Sequence, residues 1–188
     1  MSERTHSWTG RRWVRWGSFV AAGLLALIVG VHVARDGLGW GDRQKAATAL
    51  LAVELPDAAG QLQRMDQWRG RVLVVNFWAT WCVPCREEMP QFIRTQADEG
   101  GKGLQFVGIA VDSADKVAKF SKDIGLNYPT LVGGLGAMDL SRDLGNRLMA
   151  LPFTIVLDRN GRVVHTQLGV LKLDKLHEVV DPLLSPAG

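Results

Sequence analysis

Cysteine is nearly missing from this chain: its 188 residues hold two, Cys82 and Cys85. Small secreted domains that depend on disulfides for stability carry more cysteines and spread them widely, so that class is excluded. A four-ligand zinc centre needs two further Cys or His at close spacing. None is available, because no second Cys pair exists and His165 and His177 stand twelve positions apart. Covalent haem attachment needs a histidine directly after Cys85, and Arg86 is there. A basic surplus is also missing from most of the chain. Residues 1–35 carry five arginines against one glutamate, and the rest has 17 Lys/Arg against 18 Asp/Glu. The body therefore lacks the electrostatic footprint of a nucleic-acid binder, and its scattered charges read as a solvated surface. Internal repeats and low-complexity tracts are absent too.

A local absence is equally informative. No residue from Trp16 to Val33 carries a fixed charge. As a helix this run is about 27 Å long, close to the hydrocarbon thickness of a bilayer. Arg11, Arg12 and Arg15 precede it and Trp8, Trp13 and Trp16 cluster at that edge. The charge bias predicts a cytoplasmic N-terminus, and the tryptophans fit an interfacial belt. The resulting division is a basic segment over 1–15, a single transmembrane anchor over 16–34, a linker over 35–50 and a folded domain over 51–188. Within the linker, Gly37, Gly39 and Gly41 loosen the start, and Gln44 to Ala52 has the makings of a short helix. This topology places the domain on the periplasmic or extracellular side of the inner membrane. A cleaved signal peptide is the main alternative, with Ala47-Thr48-Ala49 as a distant site. A loose twin-arginine signal at Arg11-Arg12 is another, and a buried helix of a soluble core is a third.

The body alternates between two patterns. Arg71–Phe77, Leu104–Val111 and Phe153–Leu157 are short apolar runs that read as strands buried on both faces. Asn160-Gly161 joins the last of them to Arg162–Thr166, which predicts an antiparallel hairpin. Helical patterns cover Pro84–Gln96, Ala114–Ile124, Asp139–Leu148 and Leu173–Leu184. Ahead of them, Val53-Glu54-Leu55 and Gln61-Leu62-Gln63 suggest a small leading hairpin. The order implies an α/β fold, a mixed central sheet with helices on both faces.

The two cysteines fall where the first core strand ends and a helix begins. A helix N-terminus offers unpaired N–H groups and a partial positive charge. Cys82 at that edge would have its pKa lowered below the free value of about 8.5, which makes it the nucleophile. Cys85, one turn on, is placed to resolve a mixed disulfide. Pro84 suits the first turn because its missing N–H would be unpaired anyway. A pair of inert buried thiols is the structural alternative.

The segment Asn76-Phe77-Trp78-Ala79-Thr80-Trp81-Cys82-Val83-Pro84-Cys85-Arg86-Glu87-Glu88-Met89-Pro90 resembles the active site of the thioredoxin superfamily, in its membrane-tethered TlpA/ResA-like branch. The resemblance runs from about Leu51 to Leu184 and includes Leu151-Pro152 and Asp158-Arg159-Asn160-Gly161. It implies a thioredoxin fold whose working group is the Cys82–Cys85 disulfide, with no metal or other cofactor. It also implies a cis bond at Leu151-Pro152, whose neighbouring backbone docks substrate. An acid at Glu88 would exchange a proton with the resolving thiol, while the alternative for Glu88 is dipole-compensating surface. Thioredoxin itself has a buried Asp where this chain has Asn76. Trp81, Pro84, Leu151 and Pro152 are the candidate substrate contacts. Trp78 packs, Pro90 should kink its helix, and Asp112 caps the next one.

The implied activity is reduction of disulfides in exported proteins such as apocytochrome c, with electrons from an upstream membrane donor. Two other functions fit the same pair. A Cu(I) metallochaperone for oxidase assembly would add a third ligand such as His165. A peroxidase would use Cys82 alone, although the peroxiredoxin pattern wants Thr or Ser at position 79, where Ala79 stands. A non-catalytic interaction module remains if the thiols are inert.

Overall fold

The computed structural model describes residues 26, 27, 30, 31 and 41–185. The chain falls into two units, Met1–Gly41 and Asp42–Gly188. In the first, Ala26, Leu27, Gly30 and Val31 are helical and exposed. Most of the anchor expected over 16–34 lies outside the described residues. Among the described residues, no helix is long and apolar enough to cross a membrane.

The second unit starts earlier than the sequence suggests. Residues 41–52 form helix α1, so the linker expected over 35–50 gives way to helix from position 41. Ala47, Leu50 and Leu51 of α1 are buried in the core. The Gln44 amide donates to the Gly161 carbonyl at 3.0 Å and accepts from the Val163 N–H at 3.1 Å. These contacts make α1 part of the domain.

The leading hairpin is present as β1 (Glu54–Pro56) and β2 (Leu62–Arg64), paired antiparallel. The central sheet has five strands: β3 (Val72–Trp78), β4 (Leu104–Ala110), β5 (Thr130–Val132), β6 (Phe153–Leu157) and β7 (Val163–Leu168), in the order β5-β4-β3-β6-β7. β3, β4 and β5 are parallel, whereas β6 and β7 run antiparallel to their neighbours. The mixed sheet is thus as expected, except that β5 is additional. It is only three residues long and ends at Gly133-Gly134.

Side chains alternate across β3, so one strand serves two cores. Leu73, Val75 and Phe77 pack with Leu50 and Leu51 of α1 and with Ala137 of α4 (Gly136–Asp143). Val72 and Val74 pack on the other face with Phe92 of α2 (Val83–Glu99) and with Leu176 and Val180 of α5 (Leu173–Leu184). All seven residues of β3 and of β4 are buried, which explains their nearly continuous apolar reading. α3 (Ala114–Asp123) begins where its helical pattern does, with Ser113 as its N-cap residue. Helix α2 continues through Pro90 to Glu99. The helix expected over 139–148 is displaced: α4 begins at Gly136 and ends at Asp143. Residues 144–150 instead form an irregular segment in which Met149 takes a positive φ of 48°.

Candidate active site

The cysteines sit at the carboxyl end of the central strand, where open α/β sheets gather their chemistry. Cys82 is the N-cap of α2, with extended backbone angles of −81° and 103°. Its Sγ accepts a hydrogen bond from the Cys85 N–H at 3.3 Å. The two sulfurs form a disulfide of 2.00 Å across a Cα–Cα distance of 5.3 Å. Pro84 falls in the first helical turn, where no N–H is needed. Trp78, Ala79, Met89, Ala110 and Val117 pack around the bridge. Cys85 is fully buried and Cys82 is 5% exposed. Between and beside them, Trp81 and Val83 project outward, 65% and 60% exposed. The attackable edge of the bridge is therefore rimmed by two apolar side chains.

Glu88 lies one turn after Cys85 and is 1% exposed. That burial rules out the surface reading of this carboxyl. Oε1 accepts from Asn76 Nδ2 at 2.8 Å, and Oε2 accepts from the Leu171 N–H at 2.9 Å. Burial pushes its pKa up from 4.5 to about 7, against the opposing pull of the Leu171 and Asn76 hydrogen bonds. A group poised there both accepts and returns protons at neutral pH. Asn76 also donates to Thr154 Oγ1 at 3.0 Å, so β3 and β6 jointly hold the acid. Tyr128 is buried, and its phenol is pushed well above the usual range by that burial and by Glu88.

The Leu151-Pro152 peptide bond is cis. Leu151 packs against the cluster that contains both cysteines. The Pro152 carbonyl is already used by the Gly169 N–H at 2.9 Å. Ala150 is used as well: its N–H donates to Asn146 Oδ1 at 3.1 Å and its carbonyl accepts from Asn146 Nδ2 at 2.8 Å. Among the described residues, the Leu151 N–H and carbonyl make no hydrogen bond. Leu151 is thus unpaired between two engaged neighbours, Ala150 and Pro152.

One supporting residue, Asn146, has no counterpart among the sequence expectations, and two others, Asn76 and Asp112, take different roles from those expected. Asn146, 1% exposed, braces the loop before Pro152. Asn76 was noted only for what it replaces, although it holds Glu88. Asp112, expected to cap α3, stands one residue before the N-cap Ser113 and instead ties the active-site loop to that helix. It accepts from the Ser113 N–H at 2.9 Å and from the hydroxyl of Thr80, two residues before Cys82, and pairs with Lys116 at 3.6 Å. Burial acts to raise its pKa, but the bonds from Thr80 and Ser113 and the Lys116 charge prevail and hold the carboxyl below its usual range. The roles of Asn76 and Asp112 depend on partners far along the chain, and that of Asn146 on the irregular path of its own loop; the polar residue types alone gave no signal. His165 lies on β7 opposite Val156. No group of three or more His, Cys, Asp or Glu among the described residues is placed to hold a metal ion.

A helix-capping cysteine bridged to its partner, on a mixed sheet beside a cis-proline loop, defines a thioredoxin-fold thiol–disulfide oxidoreductase. The family model Redoxin matches residues 43–181. The chain belongs to that family, and within it to the TlpA/ResA-like proteins. It is 33% identical over 152 residues to the thiol:disulfide interchange protein HelX of Rhodobacter capsulatus, covering 77% of this chain and 82% of that protein. The thiol-disulfide oxidoreductase ResA of Bacillus subtilis is 28% identical, over 70% of this chain and 72% of its own length. Among solved structures, a thiol:disulfide interchange protein from Chlorobium tepidum superposes with a TM-score of 0.64 at 26% identity, over 71% of this chain and 93% of that one. The chain is an oxidoreductase enzyme acting on disulfides.

Proposed function

We propose that this enzyme is tethered by residues 16–34 to the inner membrane and reduces disulfides in exported proteins on the far side, apocytochrome c among them. The observation that carries the catalytic part is the position of Cys82 as N-cap of α2, with its sulfur accepting the Cys85 N–H and bridged to Cys85. In the reduced enzyme that N–H and the positive end of the helix stabilise a thiolate. Cys82 Sγ attacks one sulfur of the substrate disulfide. An enzyme–substrate disulfide forms and the first substrate sulfur leaves as thiolate. Glu88 takes the proton of the Cys85 thiol, and Cys85 Sγ attacks Cys82 Sγ. The second substrate sulfur leaves, and two electrons have passed from the enzyme to the substrate. A membrane donor then reduces the Cys82–Cys85 bridge. Trp81 and the Leu151 backbone hold the substrate during the exchange. The uncharged run from Trp16 to Val33 and the arginines before it support the tether.

The test is Cys85→Ser expressed in cells. Without the resolving thiol, Cys82 retains its partners as mixed disulfides, and the account expects exported cysteine-containing proteins in the membrane fraction. Capture of nothing at Cys82, or recovery of the full chain in the soluble fraction, contradicts it.

A further inference from the structure

In the loop that leads into the cis-proline, the peptide groups of Ala150 are both engaged, whereas those of Leu151 make no hydrogen bond among the described residues. Residues 147–150 are all exposed, yet they do not pair with solvent alone. Asn146 turns back over them and uses three of its hydrogen-bonding positions. It donates to Ser141 Oγ at 3.1 Å and to the Ala150 carbonyl at 2.8 Å, and it accepts from the Ala150 N–H at 3.1 Å. Ser141 is itself fixed to α4, its hydroxyl donating to the Met138 carbonyl at 2.8 Å. The clasp ties the loop to a packed helix and holds Met149 at a φ of 48°, a conformation that a residue with a long side chain rarely adopts. Both peptide groups of Ala150 are thereby consumed, while Leu148 and Met149 are left 77% and 42% exposed.

We propose that Asn146 is a positioning residue for substrate: it makes Leu151 the pairing residue and presents Leu148 and Met149 to an extended, apolar polypeptide segment flanking the disulfide to be exchanged. This rests on the reading of Cys82 as the attacking sulfur. An extended segment is required because one unpaired N–H and one unpaired carbonyl on a single residue match a β-type pair. Apolar character is required because the loop before the site offers two uncharged side chains and commits its nearest amide groups elsewhere. A folded, charged surface would leave Leu148 and Met149 uncovered and meet only the exposed Arg147 beside them.

The test is single-turnover kinetics of the reduced full chain, followed by tryptophan fluorescence. The substrates are two synthetic disulfide-linked peptides, one with Leu and Val around the cysteine and one with Asp and Lys. For wild type the half-saturating concentration should be at least fivefold lower for the apolar peptide. Asn146→Ala should raise that concentration about tenfold and leave the limiting rate within twofold. The alkylation rate of Cys82, which needs no docked segment, should stay within twofold. Asn146→Asp keeps the acceptor for the Ala150 N–H and loses the donor to its carbonyl, so it should fall between. The surface double variant Leu148→Ser/Met149→Ser should erase the apolar preference without touching the clasp. If Asn146→Ala changes half-saturation by less than twofold, or slows peptide reduction and alkylation alike, the proposal fails. Retention of the apolar preference in the double variant overturns it too. A wild-type protein that reduces neither peptide sinks the catalytic reading itself, an outcome distinct from these.

Discussion

Replacing Glu88 by Gln should slow the enzyme and stabilise it, and the stabilisation should depend on pH in one direction. Glu88 is buried, with a native pKa of about 7 against 4.5 for the free group. The native state therefore holds a proton that the unfolded chain releases between those values. Its contribution to stability is fully present below pH 4.5 and is lost as pH rises through 7. The gap corresponds to about 3 kcal/mol of penalty for the ionised, buried carboxylate above neutrality. Glutamine carries no such penalty. It still accepts from the Leu171 N–H, and its NH₂ meets the unpaired Oδ1 of Asn76 if that amide turns over. Urea unfolding of the oxidised protein at pH 5 should give similar stabilities for variant and wild type. By pH 8 the variant should be ahead by up to ~3 kcal/mol, a rise in midpoint temperature of roughly 6–12 °C for a domain of this size. In the same variant, resolution of the mixed disulfide at pH 7 should slow by about 10²-fold, a typical loss for a general base. A stability difference that is constant from pH 5 to pH 8 refutes the titration argument. An unchanged resolution rate refutes the catalytic one.

Two other substitutions separate packing from chemistry. A methyl group at Gly108 would lie 2.5 Å from Thr130 Oγ1 and 2.8 Å from Trp78 Nε1, so Gly108→Ala should destabilise by about 1–3 kcal/mol in chemical denaturation. Trp81→Ala removes a side chain that is 65% exposed, so unfolding should shift by less than about 0.5 kcal/mol while half-saturation by peptide substrate rises.

Much of this arrangement was legible beforehand because it rests on local signals. β3 and β4 are buried on both faces, and their unbroken apolar runs said so. Asn160-Gly161 fixed the last hairpin, and the contiguous segment from Asn76 to Pro90 located the disulfide. What the sequence hid depends on partners far along the chain. α1 looked like a tether because its three core residues, Ala47, Leu50 and Leu51, are recognisable only against β3 and β6. β5 is too short for a period to show. The α4 region was misplaced because Leu140, Leu144 and Leu148 keep a helical spacing, whereas Gly145 at a φ of 115° turns the chain out of the helix, with the Gly145 and Asn146 N–H groups closing on the Arg142 and Ser141 carbonyls. Glu88 was ambiguous for a related reason: position on a helix does not reveal that Leu171, in the loop before α5, and Asn76 of β3 meet its carboxyl, nor that the site is buried, and that burial raises the pKa.

The central claim is that Cys82, capping α2, is ionised at neutral pH in the reduced enzyme. Its rate of alkylation by iodoacetamide across pH 4–10, in Cys85→Ser, measures this directly. The account predicts a midpoint clearly below the free-thiol value of about 8.5. A midpoint at or above that value would contradict it.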